Sequence, residues 1–291
     1  MRNSFQTVVC ACVVCLIAFG GVRADDTPAG EESPIREWMQ AYAGGTVVRL
    51  GIDQDALQAE MVEQPVFSYS DVERGIPDAT LWVWTREGRP VAFQKVEVNA
   101  FRGGKRWTIC FVSLSEDLLG VEWAKDPKLE QALQVSSRTY EATVPGVVFE
   151  PIPGADPPAS AARLRTLQMK RLTDRFQGRM RNPGGDTTEI RILPTPIFEY
   201  REMEADSPVG AIFGLSATGT NPDVLLLIEA REHTSEELRW EYAIARMTTA
   251  GVILKLDDED VWDVPGVANR DNVQPNWTFY FMSRQLDVTP K

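Results

Sequence analysis

Apolar and polar positions alternate along two separated stretches of the chain. Ala79-Thr-Leu-Trp-Val-Trp-Thr85 and Pro90 to Val98 are β-branched and aromatic runs joined by Arg86-Glu-Gly-Arg89, a pattern that predicts two strands and a tight turn. Gly210 to Ala217 and Asp223 to Arg231 repeat it around Thr218-Gly-Thr-Asn-Pro222. Within the last run, Val224-Leu-Leu-Leu-Ile228 is apolar on both faces, which predicts a central strand covered on both sides. Third strands are expected from Trp107 and Trp240, and further strands at Leu118 to Trp123, Gly251 to Leu256 and Trp277 to Met282. Helical spacing appears elsewhere. Leu164, Leu167, Leu172, Phe176 and Met180 form an apolar stripe that predicts a basic amphipathic helix over 161–181, with Ser160 as its cap. Shorter helices are expected at Pro34 to Ala43 and Gln54 to Val62, and the five prolines and two glycines of Pro145 to Pro158 predict an extended linker.

The two strand-rich stretches also match each other. Pro65-Val-Phe-Ser-Tyr69 aligns with Pro196-Ile-Phe-Glu-Tyr200, and Glu73, Pro77, Gly88, Pro90, Glu97 and Arg106-Trp107 then meet Glu204, Pro208, Gly219, Pro222, Glu229 and Arg239-Trp240 across two single-residue insertions. Trp123 is aligned with Trp262 across a longer gap. Such self-similarity predicts an internal duplication of a module of about 80 residues. The fold class expected is α+β, β-rich, with two related antiparallel meanders and flanking helices. The divisions are a leader at 1–24, an acidic start with short helices at 25–64, a first β repeat at 65–144, a Pro-rich linker at 145–160, the basic helix at 161–181 and a second β repeat at 187–291.

Composition narrows the chemistry. The 291 residues hold 43% hydrophobic side chains, enough for a substantial core, and a single histidine. One His excludes any site built on two imidazoles. The first residues carry Arg2, then an apolar run from Thr7 to Val22 and a small-residue break before Asp25, the pattern of a cleaved secretory signal. The run is shorter than a membrane-spanning helix, and lipidation at Cys12 would leave almost no apolar segment before the cleavage point. Cleavage removes two Arg and no acid, leaving 28 basic against 42 acidic side chains and a net charge of −14. That charge argues against nucleic acid as a partner. Three of the four cysteines leave with the signal, so Cys110 remains alone and is expected as a small buried hydrophobe. No later segment reaches transmembrane length, and a secreted or periplasmic location follows.

Few motifs carry chemistry. Gly214-Leu-Ser-Ala-Thr-Gly219 approaches a nucleophile elbow, but its second glycine is one residue late and Ser216 falls within a predicted strand. No phosphate loop, dinucleotide fingerprint or zinc spacing is present, so no cofactor or metal is expected. The acidic turn Asp257-Asp-Glu-Asp260, followed by Asp263, lacks the Gly-centred loop of a calcium site. His233 is expected in the turn after the central strand, as a solvated loop residue or, as the candidate functional alternative, a catalytic residue added to one copy. The shared Glu97 and Glu229 are the principal candidates: opposite Trp107 and Trp240, with Arg106 or Arg239 alongside, each carboxylate would either do acid–base work or anchor its repeat through an ion pair. Most tryptophans lie in strands and are expected in the core, with one or two free to form a binding platform. Residues 161–181 carry seven cations against Asp174, and Arg171, Arg175 and Arg179 are the candidate contacts to an anionic ligand.

The stretches Arg74-Gly-Ile-Pro-Asp-Ala-Thr-Leu-Trp-Val-Trp84, Leu167-Gln-Met-Lys-Arg-Leu-Thr-Asp-Arg-Phe176 and Gly219-Thr-Asn-Pro-Asp-Val-Leu-Leu-Leu-Ile-Glu-Ala-Arg231 resemble those of an uncharacterised family of exported proteins of planctomycete-type bacteria. The resemblance spans roughly residues 65 to 282. It implies export and the two-part layout, and it brings no activity or catalytic residue. The expected function is that of a non-enzymatic binding or envelope-structural module, with an anionic glycan or envelope component as partner. The alternative is a carboxylate-based hydrolase acting on glycans.

Overall fold

The computed structural model describes residues 34–52, 56–101, 104–123, 138–182, 184–201, 208–234, 237–267 and 273–281. The leader and the acidic start up to Ser33 lie outside these residues, as does the end of the last predicted strand at Met282. The first half consists of helix α1 (Pro34–Gly44) and strands β1 (Val47–Leu50), β2 (Leu57–Gln58), β3 (Glu60–Met61), β4 (Phe67–Asp71), β5 (Ile76–Arg86), β6 (Arg89–Phe101), β7 (Gly104–Ser113), β8 (Leu119–Trp123) and β9 (Arg138–Glu141). The linker strand β10 (Glu150–Pro151) precedes the second half. That half holds helix α2 (Ala162–Thr173) and strands β11 (Phe176–Arg181), β12 (Thr187–Ile192), β13 (Phe198–Arg201), β14 (Pro208–Ser216), β15 (Val224–Thr234), β16 (Glu237–Arg246), β17 (Gly251–Leu256) and β18 (Glu259–Val264). A final strand, β19 (Trp277–Phe281), returns to the first half and pairs with β7. The named strand pairings are antiparallel. The fold is therefore β-rich α+β, as the alternation predicts.

Strands of the two halves pair in corresponding order, although the first half forms sheets of four and six strands and the second one sheet of nine, and the registers around the central hairpins correspond. Phe67 pairs with Leu81 as Phe198 pairs with Ile212, and Tyr69 with Ala79 as Tyr200 with Gly210. Ala79 pairs with Glu97, which pairs with Thr108; Gly210 pairs with Glu229, which pairs with Glu241. Glu60 meets Thr85 as Arg191 meets Ser216. Each half adds a helix followed by a strand that pairs with the strand after its meander: β1 with β8, and β11 with β17. One alignment made from the sequence fails. Trp123 ends β8, whose counterpart is β17, so its equivalent is Leu256; Trp262 sits on β18, the counterpart of β9, and answers to Tyr140.

Side chains on opposite faces of each sheet enter different cores, because successive strand residues point to opposite sides. Trp82, Trp84, Trp107, Ile109, Phe111 and Trp123 pack with Met39, Tyr42 and Ala43 of α1. Phe213, Leu226, Ile228, Trp240 and Leu254 pack with Met169 and Leu172 of α2. The other faces meet each other: Leu81, Val83, Phe93, Cys110 and Val112 of the first sheet pack against Ile212, Leu225, Leu227, Ala243 and Met247 of the second. The modules are thus joined back to back through a third core. This explains why Val224 to Ile228 reads as apolar on both faces: even positions face α2 and odd positions face the other module.

Three element boundaries differ from expectation. The predicted helix over 161–181 ends at Thr173, and Phe176–Arg181 is a strand. Phe176, Gly178 and Met180 satisfy a period of two as well as a helical one, and Gly178 is packed so tightly that an added Cβ would lie 2.3 Å from Ile190 Cγ1. Ser160 does not cap the helix; Ala161 is the N-cap, without a side-chain hydrogen bond. Across the predicted helix Gln54 to Val62, the described part forms the short strands β2 and β3, with Ala59 buried and Gln58 and Glu60 outward. The proline-rich linker is extended as predicted, and it is a packed strap: Val147 and Ile152 are buried, Glu150 and Pro151 pair with β16, and a Cβ on Gly146 would strike the Ser113 carbonyl oxygen at 2.3 Å. Tight hairpins have two successive residues at positive φ, Glu87-Gly88 and Asp257-Asp258, the geometry that matches strand twist.

Candidate functional site

Glu97 and Glu229 occupy equivalent positions, but the indole contact expected of them is absent. Val98 and Ala230 are the residues opposite Trp107 and Trp240, so the glutamates lie one position away and face the other module instead. Both are buried, and both receive a phenol. Tyr69 Oη donates to Glu97 at 2.6 Å and Tyr200 Oη to Glu229 at 2.7 Å. These tyrosines close the matching pentapeptides of the sequence, though nothing in that pattern said where the hydroxyls would point. Tyr200 lies directly over Gly210, where a Cβ would be 2.4 Å from its Cζ, while Tyr69 makes its contact to Glu97 beside Ala79. Burial, then the neighbouring Glu97 or Glu229 charge and the hydrogen bond to it, raise both phenols well above their ordinary range.

Each glutamate's surroundings include the hairpin tip of the other module. The β5–β6 tip brings Arg89 to Glu229 at 3.1 Å. The β14–β15 tip brings Asn221 to Lys95, whose Nζ donates to Asn221 Oδ1 at 2.7 Å and to the Met247 carbonyl at 3.1 Å while standing 3.9 Å from Glu97. Lys95 is almost fully buried, so these contacts hold an ammonium away from water. Beside it, Arg74 Nη1 and Nη2 donate to the two oxygens of Asp223 at 2.7 and 3.0 Å. Burial opposes the Arg74 charge, but the hydrogen bond and charge of Asp223 more than offset it and the guanidinium pKa is raised. Asp71 completes the seam, accepting from the Thr218 hydroxyl at 2.8 Å.

The Glu229 side is more crowded with charge. Arg231 stands 3.4 Å from Glu229, 2.9 Å from Glu116 and 3.1 Å from Glu241, and Phe149 of the linker lies under the Arg89 and Arg231 guanidiniums. Arg239, expected beside Glu229, pairs with Glu241 at 2.7 Å. Burial raises the Glu229 carboxyl above its usual value, against the opposing effects of Arg89, the Tyr200 hydrogen bond and Arg231. The folded protein then keeps a proton that the unfolded chain has released. Stability should therefore fall as pH rises from the ordinary carboxylate range through the folded value, by at most about 1.4 kcal/mol per pH unit for one proton. Glu229→Gln should remove that slope in urea midpoints measured from acid to neutral pH; an unchanged slope would assign it to another group.

A cleft of about 570 Å³ opens between the modules on the Glu97 side. Glu97, Lys95, Arg74, Asp223 and Asn221 line it, together with Asn99, Asn182, Thr249, Ile76 and Phe279. Its ionic groups are already engaged with one another, which fixes their positions. Cys110 lies beneath, fully buried, its thiol pushed up to about 12, first by burial. Ser216 ends β14 fully buried and donates to the Thr218 carbonyl at 2.7 Å, as a strand residue and not an elbow nucleophile.

The remaining candidates are dispersed. His233 belongs to β15, which runs on to Thr234 with an irregular register, instead of the turn beyond it; its side chain lies outside the described residues. Asp257 and Asp263 hold Arg175 and Arg181, Asp260 lies 3.3 Å from Lys255, and no metal-binding group of acids, His or Cys occurs among the described residues. Of the three candidate arginines, Arg175 is held by Asp257 and the Pro153 carbonyl, Arg171 is exposed on α2, and Arg179 is exposed on β11. They therefore do not form one helical face. The tryptophans are buried or half-buried, so no indole platform stands on the surface. No helix among the described residues is long and apolar enough to cross a membrane. Comparison with family models, with curated proteins and with solved structures finds no match to the chain.

Proposed function

We propose that the chain is an exported, non-catalytic binding protein made of two copies of one α+β module, with its ligand seat in the cleft between them. The cleft carries this reading: its donors and acceptors come from both modules and are fixed by buried bonds before any ligand arrives, an arrangement that lowers the ordering cost of binding. Asn99, Asn182, Asn221 and Thr249 line it together with apolar Ile76 and Phe279, a mixture that suits a short saccharide with polar edges and an apolar ring face. Glycan hydrolysis would need two carboxyl groups free to reach the scissile bond. Asp223 is instead clamped by Arg74, and Glu97 accepts the Tyr69 hydroxyl.

Binding is tested by calorimetry with neutral and uronic-acid oligosaccharides, using Thr249→Trp to fill the cleft. Saturable binding that the variant loses, with little change in its melting temperature, is the expected result. Binding that survives the filled cleft would move the seat elsewhere, and release of reducing ends abolished by Glu97→Gln would replace the reading with the hydrolase. His233→Ala should leave affinity within a few fold. Export has its own check: the intact mass of the secreted product should begin at Asp25 within a residue or two, and a retained apolar segment or a lipid on Cys12 would contradict it.

A further inference from the structure

Helix α2 buries one side and leaves the other without a partner among the described residues. At about 100° per residue, Met169, Leu172 and Thr173 point to the sheet. Arg163, Leu164, Leu167, Lys170 and Arg171 fall within an arc of about 120° on the opposite side. Leu164 and Leu167 are 52% and 44% exposed, and the three cations beside them are exposed too. No ion pair joins Arg163, Lys170 or Arg171 to a carboxylate among the described residues. Their basic neighbours behave differently: Arg175 is held by Asp257, Arg181 by Asp263, and Arg165 donates to the Ala159 carbonyl.

We propose that this face of α2 docks on an anionic lipid surface, with Leu164 and Leu167 entering the headgroup region and Arg163, Lys170 and Arg171 contacting lipid phosphates. Charge complementarity selects an anionic partner. Three unpaired cations converge here on a chain whose formal net charge is −12, so the remaining surface is repelled by such a membrane and the molecule is oriented with α2 towards it. The leucines select lipid over a polyanionic glycan, because a hydrated polymer gives exposed Leu side chains nothing apolar to enter. The docking is peripheral and salt-sensitive, since only one short helix face takes part.

The test is sedimentation of residues 25–291, which contain the compact unit Ser33–Lys291, with vesicles of phosphatidylcholine alone or mixed with phosphatidylglycerol. Binding should appear only with phosphatidylglycerol and weaken as salt is raised. Changing Arg163, Lys170 and Arg171 together to Gln should weaken it about a hundredfold, from about fivefold per cation near an anionic surface. Leu164→Ser with Leu167→Ser should weaken it at least about tenfold. All five side chains are exposed, so circular dichroism should be unchanged; if the leucine pair disturbs folding, the single variants read the same effect. Equal binding to both vesicles, or leucine variants that bind like the parent, would overturn the proposal. Retention on a soluble polyanionic glycan, lost with the cations and indifferent to the leucines, would assign the face to such a polymer instead.

Discussion

Asp223→Ala is expected to lower the free energy of unfolding by about 3–5 kcal/mol, the range for breaking a buried ion pair from one side. Asp223 is fully buried, and it accepts both Arg74 nitrogens and the Ala217 backbone N–H at 2.9 Å. Without it, Arg74 keeps only the more distant Asp71 oxygen at 3.4 Å, in a site that was shaped around two charges. Arg74→Met added to Asp223→Ala should recover at least half of the loss, because no orphaned guanidinium then remains. Urea unfolding of the two single variants and the double variant measures this. A double variant no better than Asp223→Ala would place the effect on the Ala217 N–H instead of the ion pair.

Phe93→Ala is expected to cost a similar amount, about 3–5 kcal/mol, through lost burial and an unfilled cavity. Phe93 is fully buried in the core shared by the two modules, and its ring meets Phe198 edge-on at 6.5 Å between centroids. The shared core also predicts how the loss appears. Neither module can shed the other without exposing that core, so unfolding should remain one transition, displaced to lower urea, with fluorescence and circular dichroism coincident. Two separated transitions would show that each half keeps its fold alone.

What could be read in the sequence follows from which forces act locally. Alternation and turn residues placed β5, β6, β14 and β15, since the face a residue presents depends on its neighbours two positions away. The end of α2 is ambiguous in the sequence because Phe176, Gly178 and Met180 fit both periods, and the choice is made by Ile190 and Leu254 pressing on Gly178 from other strands. The importance of Glu97 and Glu229 was visible from their recurrence. Their partners were not: a one-residue error in register turned each towards the wrong face, and Arg74 meets Asp223 across 149 residues of sequence. Arg89 and Lys95 gave no signal because their roles arise only when the second module docks. The cationic segment was legible as a charge excess, but sequence could not separate Arg175 and Arg181, neutralised by aspartates of a distant hairpin, from Arg163, Lys170 and Arg171.

Glu97 and Glu229 sit at corresponding register positions on either side of the joint, and each half supplies its own seat. Two identical subunits meeting about a two-fold axis must carry the same residue at both equivalent places, so a lysine in one seat is a lysine in both. Here Lys95 has Leu227 as its counterpart, Asn99 has Arg231, and Thr108 has Glu241. Because both halves lie on one chain, each seat is free to change alone. One is a Tyr–Glu–Lys pocket opening on the cleft, while the other is closed by Arg89, Arg231 and the Phe149 ring. A mutation on one side of this joint therefore alters one seat only, and its effect can be studied against an internal counterpart that never changed.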